Sequence, residues 1–103
     1  MIKVSVFYPN REGATFDMTY YCARHMPLVQ KLVGAALKSM AVEQGIGGPD
    51  PGSPPLYLAM GHLYFDSLET FQSSFGPKAA EIVADVPNYT NLQPIIQISE
   101  VKL

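Results

Sequence analysis

The sequence has no tryptophan and a single cysteine, Cys22. One thiol cannot close an intrachain disulfide or supply a cysteine-based zinc site, so packing must hold the fold. Charge is scarce as well. Asp, Glu, Lys and Arg make up 16% of the 103 residues and sum to −2. With only 7 basic residues and no basic cluster, nucleic acid and anionic membranes are poor partners. No apolar run approaches the ~20 residues that cross a bilayer. The opening Met1-Ile2-Lys3-Val4-Ser5-Val6-Phe7-Tyr8 lacks the basic head, apolar run and cleavage site of a secretory signal. A reducing, cytoplasmic setting is the expectation.

What is present is apolar: 48% of the residues are hydrophobic, which rules against disorder. The length suits one domain, residues 1–103, with one core. Small domains have the most surface per volume, so sparse charge predicts that a partner covers part of that surface.

Ile2 to Tyr8 alternates as a strand does, with Ile2, Val4, Val6 and Tyr8 on one side. Pro9-Asn10-Arg11-Glu12-Gly13 then reads as a turn, and Asp17 as the cap of a helix. At about 100° per residue, Met18, Tyr21, Cys22, His25, Leu28, Val29 and Leu32 form one stripe, and Gly34 stops it. Pro27 cannot donate to the carbonyl of Ala23, which predicts a kink near His25 or a fresh helical start.

Leu37 to Gln44 reads as a weaker strand, and Gly45 to Pro55 as a long loop, a lid or partner contact. Tyr57 to Phe65 is a strand apolar on both faces, with Gly61 marking close approach of another group. Asp66 and Glu69 read as a capping box for a second helix whose apolar side carries Leu68, Phe71 and Phe75. Pro77 starts a further segment with Ala79, Ile82, Val83 and Val86, and Pro94 to Leu103 closes the chain as a strand.

The order β-α-β-β-α-β is the ferredoxin-like pattern: α+β, a four-stranded antiparallel sheet with both helices on one face. Strands apolar on both sides need a second cover. A homodimer packed sheet to sheet is the simplest.

Phe7-Tyr8-Pro9-Asn10, Phe16-Asp17, Tyr20-Tyr21 and His25-Met26-Pro27-Leu28-Val29 together resemble the EthD family, named for ethyl tert-butyl ether degradation. Ser67-Leu68-Glu69-Thr70-Phe71 and Asp85-Val86-Pro87-Asn88-Tyr89-Thr90-Asn91 fit the same family. The resemblance implies a dimeric α/β barrel, two ferredoxin-like sheets closed into one. Its superfamily includes lactone isomerases, polyketide cyclases, decarboxylases and haem-degrading monooxygenases. The last typically use a pocket tryptophan, which this chain lacks.

His25 is the leading catalytic candidate, because an imidazole exchanges protons near neutral pH, where its unperturbed pKa is ~6.5. The alternative is a core histidine bonded to the carbonyl freed by Pro27. A purely structural histidine would be inaccessible, with both nitrogens held by protein. Tyr8, Tyr21, Met60, His62 and Tyr64 are the expected pocket residues, His62 also as a possible partner of His25. Two histidines with no favoured carboxylate make a poor metal site, so no metal or cofactor is expected. The expected function is cofactor-independent proton transfer, by an isomerase, cyclase or decarboxylase, on a small hydrophobic oxygenated or aromatic metabolite in a degradation pathway. The alternative is a non-catalytic accessory or ligand-binding protein for a monooxygenase system.

Overall fold

A computed structural model describes residues 1–103. The chain runs through β1 (Ile2–Pro9), α1 (Met18–Tyr20), a π-helical segment (Tyr21–His25), α2 (Met26–Val33) and β2 (Ser39–Gln44). It continues through β3 (Tyr57–Phe65), α3 (Leu68–Phe75), a tight 3-10 turn, α4 (Ala79–Ala84) and β4 (Ile95–Glu100). The four strands form one antiparallel sheet in the order β2-β3-β1-β4, the ferredoxin-like arrangement. No helix is long and apolar enough to cross a membrane.

Register decides which side chains meet the helices. Val6 stands opposite Gly61 on one neighbour and Ile96 on the other; Val4 stands opposite Leu63 and Ile98. These positions, with Tyr8, Ala59 and Phe65, share the face on which the helices lie. The alternate positions, Phe7, Met60 and Ile95 in one row and Ser5 and His62 in another, point to the uncovered face.

Asp17 caps α1, its carboxylate accepting from the Tyr20 N–H at 3.0 Å. Gly34, at φ 75°, ends α2 in a conformation that favours glycine. Between them Pro27 has its effect. The Met26 N–H bonds to the Tyr21 carbonyl, five residues back, so the backbone widens by one residue immediately before the proline. That extra residue turns the buried stripe. Met26 and Val33 are buried with Tyr21, His25 and Val29, whereas Cys22 is exposed and Leu28 only half-buried. A regular 100° wheel cannot anticipate this.

The second helix is capped one residue later than its acidic pattern suggests. Ser67 Oγ accepts from the Thr70 N–H at 3.1 Å and Thr70 Oγ1 accepts from the Ser67 N–H at 3.1 Å, a capping box made by hydroxyls. Asp66 instead faces Lys38 at the surface, 3.7 Å away. Leu68 is exposed, while Phe71 and Phe75 pack on the core. The β2 strand begins at Ser39 rather than Leu37, because the Leu37 N–H closes the turn after α2 by bonding to the Gly34 carbonyl. The last strand stops at Glu100.

Candidate functional site

His25 ends the π-helical segment and turns its ring inward, 4% exposed. Its Nδ1 lies 2.9 Å from Asp85 Oδ2. The other oxygen of Asp85 accepts from the Tyr20 hydroxyl at 2.7 Å and from Asn88 Nδ2 at 2.9 Å. Burial alone would push the Asp85 carboxyl up; the hydrogen bonds from Tyr20, Asn88 and His25 outweigh it and hold the group below its usual range. An ionised Asp85 accepts from Nδ1, which in the neutral imidazole selects the tautomer with Nε2 unprotonated. The same contact pushes the Tyr20 phenol up, since its proton is bonded to a carboxylate.

The 3-10 turn Val86–Asn88 follows Asp85 and brings Tyr89 over His25, with ring centroids 4.6 Å apart. Tyr89 is held from the other end of the chain: its carbonyl accepts from the Asp17 N–H at 2.7 Å, and Thr90 pairs with Phe16. The Tyr21 ring stacks on His25 at 5.4 Å and 13°, one helical turn earlier. Tyr8 reaches in from β1, its hydroxyl 2.6 Å from that of Tyr89 and its ring edge-on to that of Tyr21, with centroids 5.5 Å apart. Tyr89 Oη lies 3.5 Å from His25 Nε2. Burial raises all three phenols well above their ordinary range, so Tyr8, Tyr21 and Tyr89 stay protonated donors.

These groups form one end of a cavity of about 80 Å³ between the helices and the sheet. Its remaining walls are apolar, among them Val6, Leu63, Met26, Val29 and Ile82. Gly61 is part of the design: a Cβ there would overlap the Tyr21 hydroxyl. Val83 and Ile96, both more than half exposed, form the rim. A wider depression of about 620 Å³ between residues 15–19 and 87–91 is open to solvent and is lined largely by the polar residues Thr15, Asp17, Thr19, Asn88, Thr90 and Asn91, with no histidine among them. No group of three or more His, Cys, Asp or Glu residues could hold a metal ion.

The EthD domain model matches residues 13–93. The chain belongs to the EthD family. It is 46% identical to an EthD-like protein from Ralstonia eutropha, whose crystal structure superimposes with a TM-score of 0.94 over 99% of this chain and 92% of that one. It is 32% identical over 93 residues to an uncharacterised 11.0 kDa protein from the thcB–thcC intergenic region of Rhodococcus erythropolis, covering 88% of this chain and 85% of that one. A dimeric ferredoxin-like protein of unknown function from Thermobifida fusca shares the fold, with a TM-score of 0.57 and 13% identity over 97% of this chain and 90% of that one.

Within this EthD chain the expected site residues divide. Tyr8, Tyr21 and His25 meet on the cavity. Met60, His62 and Tyr64 do not line it: strand alternation turns Gly61 and Leu63 toward the helices and sends their neighbours to the uncovered face. His62 is therefore no partner of His25. It is bonded to Ser5 Oγ at 2.9 Å and Glu43 Oε1 at 3.2 Å. His25 does not depend on the carbonyl freed by Pro27 either, because its partners are Asp85 and Tyr89.

Asp85 and Tyr89 complete the site and were not among the sequence candidates. Their spacing, four apart with Pro87 between, reads as a helix end. The signal that could have found them is Asp85-x-x-Asn88: a carboxylate followed by its own amide donor at a turn.

Proposed function

We propose that this EthD-family chain is a cofactor-independent proton-transfer enzyme acting on a small hydrophobic oxygenated or aromatic metabolite of a degradation pathway. His25 is its acid–base group. One observation carries the reading: a buried imidazole on an apolar cavity has one nitrogen held by a carboxylate at 2.9 Å, while the other meets only the Tyr89 hydroxyl at 3.5 Å. A general base needs this arrangement, a fixed tautomer and a lone pair aimed where a substrate can sit. Asp85 positions the ring, and Tyr8, Tyr21 and Tyr89 supply neutral hydrogen-bond donors. Isomerisation, cyclisation and decarboxylation all use such a group.

Nitrogen NMR of His25 tests the reading. The expected spectrum shows Nδ1 protonated, with the Nε2 signal alone moving when an oxygenated ligand binds. Movement at Nδ1, or none at either nitrogen with a ligand demonstrably bound, would count against it.

A second reading has its own support. His25 is 4% exposed with a protein partner at each ring nitrogen, the arrangement expected of a purely structural histidine, and it is compatible with a non-catalytic accessory or ligand-binding role beside a monooxygenase system. The 3.5 Å separation at Nε2 favours the catalytic reading, since it is a contact that a substrate could take over.

The working form we infer is a homodimer. On the uncovered sheet face Phe7, Met60 and Tyr64 are only half-buried and Ile95 is 53% exposed, a surface that a second copy would cover. The dimeric protein from Thermobifida fusca has the same fold.

A further inference from the structure

The hydrogen bonds around His25 run in one direction. With Asp85 ionised and Nδ1 donating to it, Nε2 of the neutral imidazole is an acceptor. Tyr89 then donates to Nε2 across 3.5 Å, which leaves Tyr8 as the donor to Tyr89 at 2.6 Å. The contact at Nε2 is the loose step, at the limit of a hydrogen bond, and it borders the cavity. A molecule entering there must offer two things close together: an acceptor for the Tyr89 O–H and a proton for Nε2.

We propose that the ligand is a neutral carbonyl compound with a removable hydrogen on the carbon beside the carbonyl. Its oxygen takes the Tyr89 hydrogen bond and that hydrogen faces His25 Nε2. The inference rests on the proton-transfer reading above and narrows its substrate. An ether lacks the acidic hydrogen. A hydroxyl alone can bridge the gap, but passing its O–H proton to Nε2 makes and breaks no bond to carbon, which isomerisation, cyclisation and decarboxylation all require. A carboxylate brings a charge into walls that contain no Lys or Arg, with ionised Asp85 directly behind the imidazole. Size agrees with this choice. The cavity, about 80 Å³, is roughly half of the ~150 Å³ that holds a benzene ring. It takes the carbonyl and its immediate neighbours, and the apolar remainder lies over the rim of Val83 and Ile96.

The step balances without an added reagent. Nε2 takes the proton, the C–H pair becomes the C=C bond of an enolate, and the C=O π pair moves to oxygen. The Tyr89 O–H steadies that oxyanion. The imidazolium then returns its proton to carbon, at the same or a conjugated position.

The test uses the full chain in D₂O with 2-butanone and, as a similar-sized anion, butyrate. Proton NMR follows both the ring signals of His25 and Tyr89 and the hydrogens beside the carbonyl. The expected result is that 2-butanone, and not butyrate, shifts the ring signals and gains deuterium at least tenfold faster than with His25→Gln. If that variant does not fold, the rate in buffer alone is the comparison. Ring shifts with 2-butanone but no exchange would support the carbonyl assignment and overturn the proton-transfer reading. Equal shifts with butyrate, or none with 2-butanone, would overturn the carbonyl assignment.

Discussion

His25 Nδ1 and Asp85 Oδ2 lie 2.9 Å apart although 60 residues separate them in the chain. The contact joins the first helical stretch to the end of α4, so it ties the two halves of the helix layer and sets the histidine tautomer at once. Losing it should show in both stability and chemistry. Asp85→Asn is expected to destabilise the fold by about 1–3 kcal/mol, the usual cost of a hydrogen bond to a charged group. Turnover should fall with it.

The pH dependence follows from the sign of the Asp85 shift. Its carboxyl is held below the ordinary 3.8, so the folded state binds this proton less readily than the unfolded chain does. Its contribution is therefore complete above about pH 4–5 and lost as pH falls through the lower folded value. Urea unfolding at pH 7 and pH 3 checks this: the gap between wild type and Asp85→Asn should be wide at pH 7 and narrower at pH 3. A gap that widens in acid would contradict it.

Gly61→Ala places a methyl group against the Tyr21 hydroxyl, inside a ring cluster of Tyr8, Phe16, His25 and Tyr89 that has little room to shift. Overpacking of this kind costs about 1–3 kcal/mol. A lower melting temperature together with displaced Tyr21 and His25 ring resonances is the expected outcome.

These predictions draw on residues of unequal legibility. The strand from Tyr57 to Phe65 could be read directly, because aromatic, unbranched apolar and small residues bounded by a Pro-rich loop and an acidic turn leave few alternatives. The helix over His25 was legible in position but not in phase. Pro27 announces a disturbance, but only the backbone shows that it is relieved by a π turn that exposes Cys22 and buries Met26. Asp85 and Tyr89 were hidden for a different reason. Their role depends on a contact across the helix layer, and one sequence carries no record of spatial neighbours. His62 was misplaced because a strand apolar on both faces gives periodicity nothing to choose between.

The uncovered face supplies another test. Met60→Glu puts a charge in the middle of the surface expected to meet a second copy, remote from the cavity. Sedimentation of the wild type should give the mass of two chains at micromolar concentration, and Met60→Glu that of one. A wild-type mass equal to one chain would contradict the homodimer.

Tyr89→Phe removes the hydroxyl between Tyr8 and His25 while keeping the ring that packs on both. Its cost to stability should be about 1 kcal/mol. A larger loss should appear in turnover than in melting, since the phenol is a donor to the reacting molecule in this account.

The most direct test of the proton-transfer role is turnover by His25→Asn, checked first for a wild-type circular dichroism spectrum and an unchanged oligomeric mass, against wild type on a panel of oxygenated and aromatic metabolites. The account predicts wild-type turnover of at least one neutral carbonyl compound and a loss of roughly 10²–10⁴-fold in the variant, the usual share of a general acid–base group. Full activity in a folded His25→Asn would contradict it.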